Sequence, residues 1–188
     1  MCGRYLFDLQ TPKLLKYYQE LQQLGKFGEV APSENVVTLA MGSDGKIRLG
    51  VTQWGFTTLK NKNRIINARS ETVTQKPLFA ESFYQRRCVF PMTGFFEWDQ
   101  NKNKILFTPK DGNEIYVGGF YRYHNGVLES VIMTTQPTET VAAIHDRMPL
   151  IIEKGAIRSW LSDIQFADNY RKQTIQSKLN IQKCMPEK

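Results

Sequence analysis

The fold is decided by residues 87–135, which read RCVFPMTGFFEWDQNKNKILFTPKDGNEIYVGGFYRYHNGVLESVIMTT. Short runs rich in apolar, aromatic and β-branched residues fill this stretch, as is typical of strands. Turn residues separate the runs, notably Asp-Gly-Asn at 111–113 and His-Asn-Gly at 124–126. The pattern predicts strands at Arg87–Pro91, Gly94–Trp98, Ile105–Thr108, Ile115–Tyr123 and Val127–Thr135.

The flanking sequence adds further strands and a few helices. Gly3–Phe7 is strand-like, and Val36–Met41 with Ile47–Trp54 predicts a hairpin that turns at residues 43–45 (Ser-Asp-Gly). The residues after Leu161 are polar and mixed in character. The other predicted elements are a strand-like run at Ile65–Arg69 and helices at Thr11–Gly25, Pro77–Arg86 and Glu153–Leu161.

Many antiparallel strands with few helices indicate an α+β fold. We expect a single domain over residues 1–188, in which mainly antiparallel strands form one sheet curled into a barrel-like shape. A few short helices should flank this sheet. A chain of 188 residues is long enough to bury a hydrophobic core.

Composition and charge narrow the classes of function. The chain carries 25 Lys and Arg against 18 Asp and Glu, and this net charge of +7 favours a polyanionic partner such as nucleic acid, although many basic proteins bind nothing specific. Three widely spaced cysteines and two histidines argue against a disulfide framework and a metal site, and no cofactor is expected. The chain has no apolar run of about 20 residues and no secretory signal, so no membrane partner is expected. We expect a cytoplasmic monomer, associated with the nucleoid if the host is bacterial.

Cys2 is the first candidate for chemistry. Methionine ahead of a small residue is commonly removed, which would leave Cys2 as the new N-terminus. Its α-amine, with a reference pKa of about 7.7–8.0, would be partly neutral near pH 7 and able to form a Schiff base with an aldehyde. The thiol can then close onto the imine carbon and give a thiazolidine ring. On position alone, a cysteine that lies there by chance is the more common case.

Glu97 lies in the aromatic run Gly94–Trp98. In a strand it shares one face with Phe95, while Phe96 and Trp98 share the other face. A carboxylate surrounded by aromatic rings should have a raised pKa, because burial disfavours the charged form, and such a group suits general acid/base catalysis. The alternative, slightly preferred without further context, is an edge-strand glutamate that points into water.

Two further motifs offer polar groups that could act on a phosphorylated substrate. In Ala143–Pro149, His145 can transfer protons, and Arg147 would lie on the same side if the segment is extended. In Ile66–Thr72, an extended backbone places Asn67 and Arg69 on one face, where an amide can orient a substrate and a guanidinium can grip phosphate. The alternatives are a structural histidine packed beside Asp146, and a capping asparagine with a solvated arginine.

Taken together, these stretches resemble the SRAP family (SOS response-associated peptidase). Each fragment is weak alone, but their order and spacing in combination are specific. The resemblance covers residues 1 to about 161. The matching stretches are Met1–Arg4, Val30–Pro32, Trp54–Gly55, Ile66–Thr72, Gly94–Trp98 and His145–Pro149.

The resemblance implies a pseudo-barrel domain that binds single-stranded DNA and crosslinks abasic sites through Cys2. Asn67 would position the Cys2 amine and the opened sugar, Glu97 would act as general acid/base, and His145 would assist opening of the deoxyribose ring. No metal is implied, and the family name implies possible self-cleavage of the Met1–Cys2 bond. The positions that match DNA contacts in the family are Arg4, Pro32, Trp54, Arg69, Thr134 and Arg147.

The sequence departs from the family pattern at three places. After Trp54–Gly55 the family commonly has a Pro and another Trp, whereas residues 56–60 here read Phe-Thr-Thr-Leu-Lys, which predicts altered stacking on bases. Glu29 occupies a position where family members often have Asn, and a carboxylate near DNA would repel phosphate. The usual C-terminal strand is not recognisable in residues 176–188, which predicts that the sheet closes differently or ends early.

Two rival functions remain open at the level of sequence. An N-terminal cysteine hydrolase, such as a class II glutamine amidotransferase, also begins Met-Cys-Gly and uses its α-amine as the base. The basic charge, the small size and the Glu97 and His145 motifs argue against it. A DNA-binding module with vestigial catalytic residues is the second alternative.

Overall fold

Strands dominate the computed structural model, which describes residues 2–8, 25–58, 64–173 and 177–184. The predicted helix at Thr11–Gly25 lies almost wholly outside the described residues. Strands β1–β12 cover Arg4–Phe7, Gly28–Val30, Asn35–Met41, Ile47–Trp54, Asn67–Arg69, Arg87–Met92, Gly94–Trp98, Lys104–Pro109, Ile115–His124, Val127–Thr135, Met148–Pro149 and Leu179–Lys183. Helices α1–α4 cover Pro77–Gln85, Glu139–Ala142, Ile157–Ser162 and Ile164–Tyr170, with a 3-10 turn at Lys154–Ala156.

The larger sheet closes on itself. Its strands pair in the order β10-β4-β3-β6-β9, and β9 pairs again with β10, so that five strands form a ring. Most of these pairs are antiparallel, but β4 and β10 run parallel. The short strands β5 and β11 both add to β10. This ring agrees with the predicted α+β fold of curled, mainly antiparallel strands.

The second sheet was not expected from the sequence, which predicted a single curled sheet. Its order is β12-β8-β7-β1-β2, and every neighbouring pair is antiparallel. It includes a C-terminal strand, Leu179–Lys183, paired with β8, so of the two expectations for this segment, the early end of the sheet is wrong. Only Leu179 of this strand is buried, which explains why its sequence lacks a strand-like pattern.

The helices differ from the prediction mainly after Glu153. The predicted helix Glu153–Leu161 is a 3-10 turn followed by α3, and a further helix, α4, follows it. The side chain of Asp163 caps α4 by accepting hydrogen bonds from the backbone N–H groups of Gln165 and Phe166. No helix in the described ranges is long and apolar enough to cross a bilayer.

The buried side chains form two clusters. One includes Cys2, Tyr5, Trp54 and Phe95, so the N-terminal cysteine belongs to a hydrophobic core. The other includes Phe56, Phe120 and Trp160, and helices α1, α3 and α4 contribute to it. Cys2 is therefore held by packing as well as by its chain neighbours.

A substitution at Gly119 can test how closely the strands of the ring pack. Its strand β9 lies between β6 and β10, and a Cβ at this position would come within 2.4 Å of the Phe90 ring and 2.5 Å of the Val131 carbonyl oxygen. We expect Gly119→Ala to lower the free energy of unfolding by about 1–3 kcal/mol, measured by urea denaturation.

The matched control is Gly50→Ala in β4, where an added Cβ would meet nothing within 4 Å. We expect this change to stay within about 0.5 kcal/mol of the parent protein. Equal effects of the two substitutions would contradict the close approach described for Gly119.

Candidate active site

Cys2 lies two residues before the first residue of β1 and is fully buried. Its thiol is directed at the backbone carbonyl of Arg4, with 3.8 Å between Sγ and the oxygen. Burial raises the pKa of the Cys2 thiol far above its ordinary value, and the negative charge of Glu97 raises it further. The sulfur is therefore held as a neutral thiol, which needs a base before it can act as a nucleophile.

Asn67 connects the ring of strands to the N-terminus. Asn67 is the first residue of β5, which pairs in parallel with β10, and its partner there is Ile132. The preceding residue, Ile66, accepts a hydrogen bond at its carbonyl from the indole N–H of Trp54. The Asn67 side-chain amide donates to the carbonyl oxygen of Cys2 at 2.8 Å. Within the described residues, its buried Oδ1 has no hydrogen-bond partner. Asn67 can thus hold Cys2 and still accept a hydrogen bond from a reacting amine.

Glu97 is buried in β7, with only 2% of its surface exposed. Its strand lies beside β1 through the pairing of Phe96 with Arg4. Burial raises the pKa of the Glu97 carboxyl, the charge of Asp146 adds to this, and His145 opposes it. The alternative of a glutamate that points into water is excluded, and the expected direction of the pKa shift is confirmed.

His145 faces Glu97 with one nitrogen and a chain turn with the other. Its Nε2 lies 3.7 Å from Glu97 Oε2. Its Nδ1 lies 3.1 Å from the backbone N–H nitrogen of Arg147, which donates to it when Nδ1 is unprotonated, and 3.1 Å from an Asp146 carboxylate oxygen. Nδ1 therefore lies near one donor, the Arg147 N–H, and near two acceptors, the Asp146 carboxylate and the Arg147 carbonyl oxygen at 3.2 Å.

Arg147 does not share a solvent-facing side with His145. The chain bends at Asp146 and becomes a strand only at Met148, so the extended segment considered from the sequence is not formed. The guanidinium makes two hydrogen bonds to the Glu71 carboxylate, at 2.8 and 2.9 Å, and one to the carbonyl of Thr134 at 2.7 Å. Because Arg147 is buried and engaged, a phosphate would reach it only if Glu71 released it.

The other residues predicted to contact DNA differ in how far they are exposed to solvent. Arg69 is exposed, and Arg4 and Pro32 are partly exposed, so DNA could reach all three directly. Trp54 is fully buried with its ring 5.4 Å from that of Tyr5, and Thr134 is buried beneath Arg147. Stacking of a base on Trp54 would therefore require the core to rearrange.

Two charged residues near the site were not assigned a role from the sequence. Glu71 lies inside the Ile66–Thr72 motif, but only the fold reveals its ion pair with Arg147. Lys104 had no local signal, and it contacts Glu29 across three strand pairings. Among the described residues, no three His, Cys, Asp or Glu side chains are grouped to hold a metal ion.

The arrangement supports proton transfer beside a cysteine. Four chain segments that are distant in sequence converge, and they bring Cys2, Asn67, Glu97 and His145 together. A carboxyl with a raised pKa can take a proton from a thiol or an ammonium near neutral pH and return it later. The imidazole of His145, which lies beside Glu97, can then exchange a proton with the substrate.

Comparison with known proteins gives a family match over almost the whole chain. A family model described as SOS response associated peptidase (SRAP) matches residues 1–185. The chain is 31% identical to the abasic site processing protein YoaM of Bacillus subtilis (strain 168), over 90% of this chain and 83% of that protein. It is 27% identical to the abasic site processing protein YedK of Escherichia coli (strain K12), over 86% of this chain and 79% of that protein.

Solved structures show the same fold. A protein from Bordetella bronchiseptica superposes with a TM-score of 0.80 at 18% identity, over 98% of this chain and 100% of that chain. A protein from Bacteroides thetaiotaomicron gives a TM-score of 0.78 at 21% identity, over 98% of this chain and 92% of that chain.

The buried carboxyl of Glu97 should leave a signature in the pH dependence of stability. Burial raises the pKa of Glu97 in the folded protein. The carboxyl therefore contributes its full stability at a pH below its pKa in the unfolded chain, and this contribution is lost as the pH rises through its pKa in the folded protein. Glu97→Gln removes the buried charge. We expect the free energy of unfolding of this variant, relative to the parent, to increase between about pH 4 and pH 8 in urea titrations.

Glu129 provides a contrast of opposite sign, since it is equally buried. Burial raises the pKa of Glu129, but hydrogen bonds from Thr57 and Arg122 outweigh this and lower it overall. Its contribution is present above the unfolded pKa, so Glu129→Gln should lose stability relative to the parent as the pH rises. The same trend in both variants would contradict the environment described for Glu97.

Proposed function

Because the chain belongs to the SOS response associated peptidase family, we propose that it processes abasic sites in DNA. The curated relatives with which it aligns over most of its length are named as abasic site processing proteins. In detail, the protein binds single-stranded DNA and captures the abasic site covalently on Cys2. The observation that carries this proposal is the position of Cys2 beside Asn67, Glu97 and His145.

Capture requires removal of Met1, because only then does Cys2 carry a free α-amine. Self-cleavage is one route that fits the site. The Cys2 thiol, deprotonated by Glu97, would add to the carbonyl of Met1, and the nitrogen of Cys2 would leave as an amine after taking up the proton. Water would then hydrolyse the thioester and release methionine. A separate aminopeptidase would reach the same product.

The first step on DNA is formation of an imine. An abasic deoxyribose is mostly a closed hemiacetal, so its ring must open before an aldehyde is available. His145 and Glu97, 3.7 Å apart, can take the proton from the C1′ hydroxyl and supply one to the ring oxygen. The neutral amine of Cys2 then attacks the aldehyde, and loss of one water gives the imine. Asn67 Oδ1 is placed to accept a hydrogen bond from this amine.

The second step closes a ring on the imine carbon. The Cys2 thiol is a weak nucleophile in this site because its pKa is raised by burial. Transfer of its proton to the Glu97 carboxylate generates a thiolate, which adds to the imine carbon. The imine nitrogen takes up a proton, and the product is a thiazolidine that joins the protein to DNA. Only an N-terminal cysteine supplies both the amine nitrogen and the sulfur of this ring.

An AP-lyase-type reaction is the competing outcome at the imine. Loss of a proton from the sugar carbon next to the imine would expel the 3′ phosphate and break the strand. Fast ring closure by the thiol removes the imine before this happens. The balance between a stable crosslink and strand cleavage therefore depends on how closely the thiol is held.

Basic side chains around the site account for DNA binding. Arg69 is exposed at the end of β5, the strand that begins with Asn67, and Arg4 lies two residues from Cys2. Arg69 and Pro32 are the contacts that need no rearrangement, whereas Arg4 is paired with Glu29. Arg147 instead supports His145 and joins the DNA contacts only if Glu71 releases it.

The test of this function is the intact mass of the protein before and after mixing with a single-stranded oligonucleotide that contains one abasic site. We expect the purified protein to lack Met1 and to gain the mass of the oligonucleotide less one water. Cys2→Ala should form no thiazolidine. Cys2→Ser keeps an N-terminal amine but lacks the thiol, so its adduct should survive only after reduction of the imine.

Cys184→Ala is the matched control, since Cys184 is a partly exposed thiol outside the site. It should crosslink as the parent does. A parent protein that retains Met1, or that never gains the mass of the oligonucleotide, would refute the proposed function. Salt-sensitive binding without an adduct would favour a non-catalytic DNA-binding module instead.

A further inference from the structure

A cluster of three charged side chains lies on the face of the smaller sheet opposite Glu97. Glu29 in β2 accepts a hydrogen bond from Lys104 Nζ at 2.5 Å, and its other oxygen lies 3.6 Å from Arg4 Nε. Lys104 comes from β8, and its ammonium lies 4.5 Å from the centre of the Phe96 ring. One carboxylate thus holds two cations together.

The cluster lies close to the reactive residue along the chain. Arg4 is two residues from Cys2, so their Cα atoms are separated by no more than about 7 Å. Arg4 pairs with Phe96, the neighbour of Glu97 in β7. A DNA strand with its abasic sugar at Cys2 would therefore place a flanking phosphate near this cluster.

The three side chains are accessible enough to exchange partners. Arg4, Glu29 and Lys104 have side-chain exposures of 38%, 34% and 21%. Ion pairs at such positions contribute little to folding, so breaking them leaves the fold intact. A phosphate, however, has the same sign as the Glu29 carboxylate and must compete with it for both cations.

We propose that Lys104 is a further DNA contact and that Glu29 limits the affinity for DNA by holding Lys104 and Arg4. This inference rests on the proposed function. With Glu29 in place, the cluster offers DNA a net charge of +1, and without it the net charge is +2. Glu29 therefore determines how strongly the flanking phosphates are held, while the chemistry at Cys2 is left to the residues on the other face.

The test measures equilibrium binding to a single-stranded oligonucleotide that carries tetrahydrofuran, an abasic analogue without an aldehyde. The Kd is measured over a series of salt concentrations, because each phosphate contact by a cation contributes about −0.7 to the slope of log K against log salt for single strands. Glu29→Gln should bind about 3–10-fold tighter near 0.1 M salt and steepen the slope by about 0.7.

Two further variants make the assignment specific. Lys104→Gln should weaken binding and flatten the slope by about 0.7, and Glu29→Gln with Lys104→Gln should return close to the parent values. Glu81→Gln is the matched control, because it removes the same charge from an ion pair with Arg86 on α1. It should bind as the parent does. Thermal unfolding of each variant confirms that the fold is retained.

The outcomes separate this inference from the proposed function. If Glu29→Gln binds no tighter than Glu81→Gln, the restraint by Glu29 is refuted. A parent slope in Lys104→Gln refutes the Lys104 contact. With a reactive abasic oligonucleotide at saturation, Glu29→Gln should crosslink at the parent rate. Failure of the parent protein to crosslink would refute the proposed function, while the binding data would still decide the roles of Glu29 and Lys104.

Discussion

The burial of one carboxyl group beside Cys2 is the constraint on which the site depends. Glu97 is almost completely removed from solvent, and that burial raises its pKa. The same environment keeps the Cys2 sulfur as a thiol, with the charge of Glu97 adding to the effect. Burial thus makes both groups harder to ionise, and we propose that a proton passes from the thiol to the Glu97 carboxylate when a substrate arrives. The chemistry proposed for Cys2 needs this exchange at its second step, the closure of the thiazolidine ring.

The fold supplies this arrangement by joining two sheets at the site. Glu97 is carried by β7 of the smaller sheet, whereas Asn67 lies on β5, which is attached to the ring of strands through β10. The hydrogen bond from Asn67 to the Cys2 carbonyl links the two sheets. His145 comes from the turn before β11, and that turn is held in place by the Arg147–Glu71 ion pair. A buried charge of this kind costs stability, so the surrounding core must be well packed to retain it.

Local sequence patterns predicted the strands that carry this site, and the structure shows why. Gly94–Trp98 and Val127–Thr135 are found with the predicted bounds, because both are apolar, β-branched or aromatic runs bordered by turn residues. The hairpin of β3 and β4 is also confirmed. The division into two sheets was not predictable in this way, since it depends on which distant strands pair. Leu179–Lys183 became a strand only through its pairing with β8.

The candidate site residues were predictable as a set only through the combined motifs. Nothing local in the sequence distinguishes the buried Glu97 from a solvated glutamate, or the paired Arg147 from a phosphate-binding one. Arg147 is engaged because Glu71, which follows β5, and Thr134, in β10, both accept hydrogen bonds from it. These partners are distant in sequence, so their contact with Arg147 depends on the fold. The restraint on Arg4 has the same origin, since Glu29 and Lys104 reach it from neighbouring strands of the sheet.

The most direct test of the role of Glu97 is the rate of crosslinking by Glu97→Gln under single-turnover conditions, with saturating abasic single-stranded DNA. Glutamine keeps the shape of the side chain but cannot exchange a proton. The account predicts that the variant crosslinks at least about 100-fold more slowly, while its affinity for DNA with the tetrahydrofuran analogue stays within about two-fold of the parent. A variant that crosslinks at the parent rate would contradict the account.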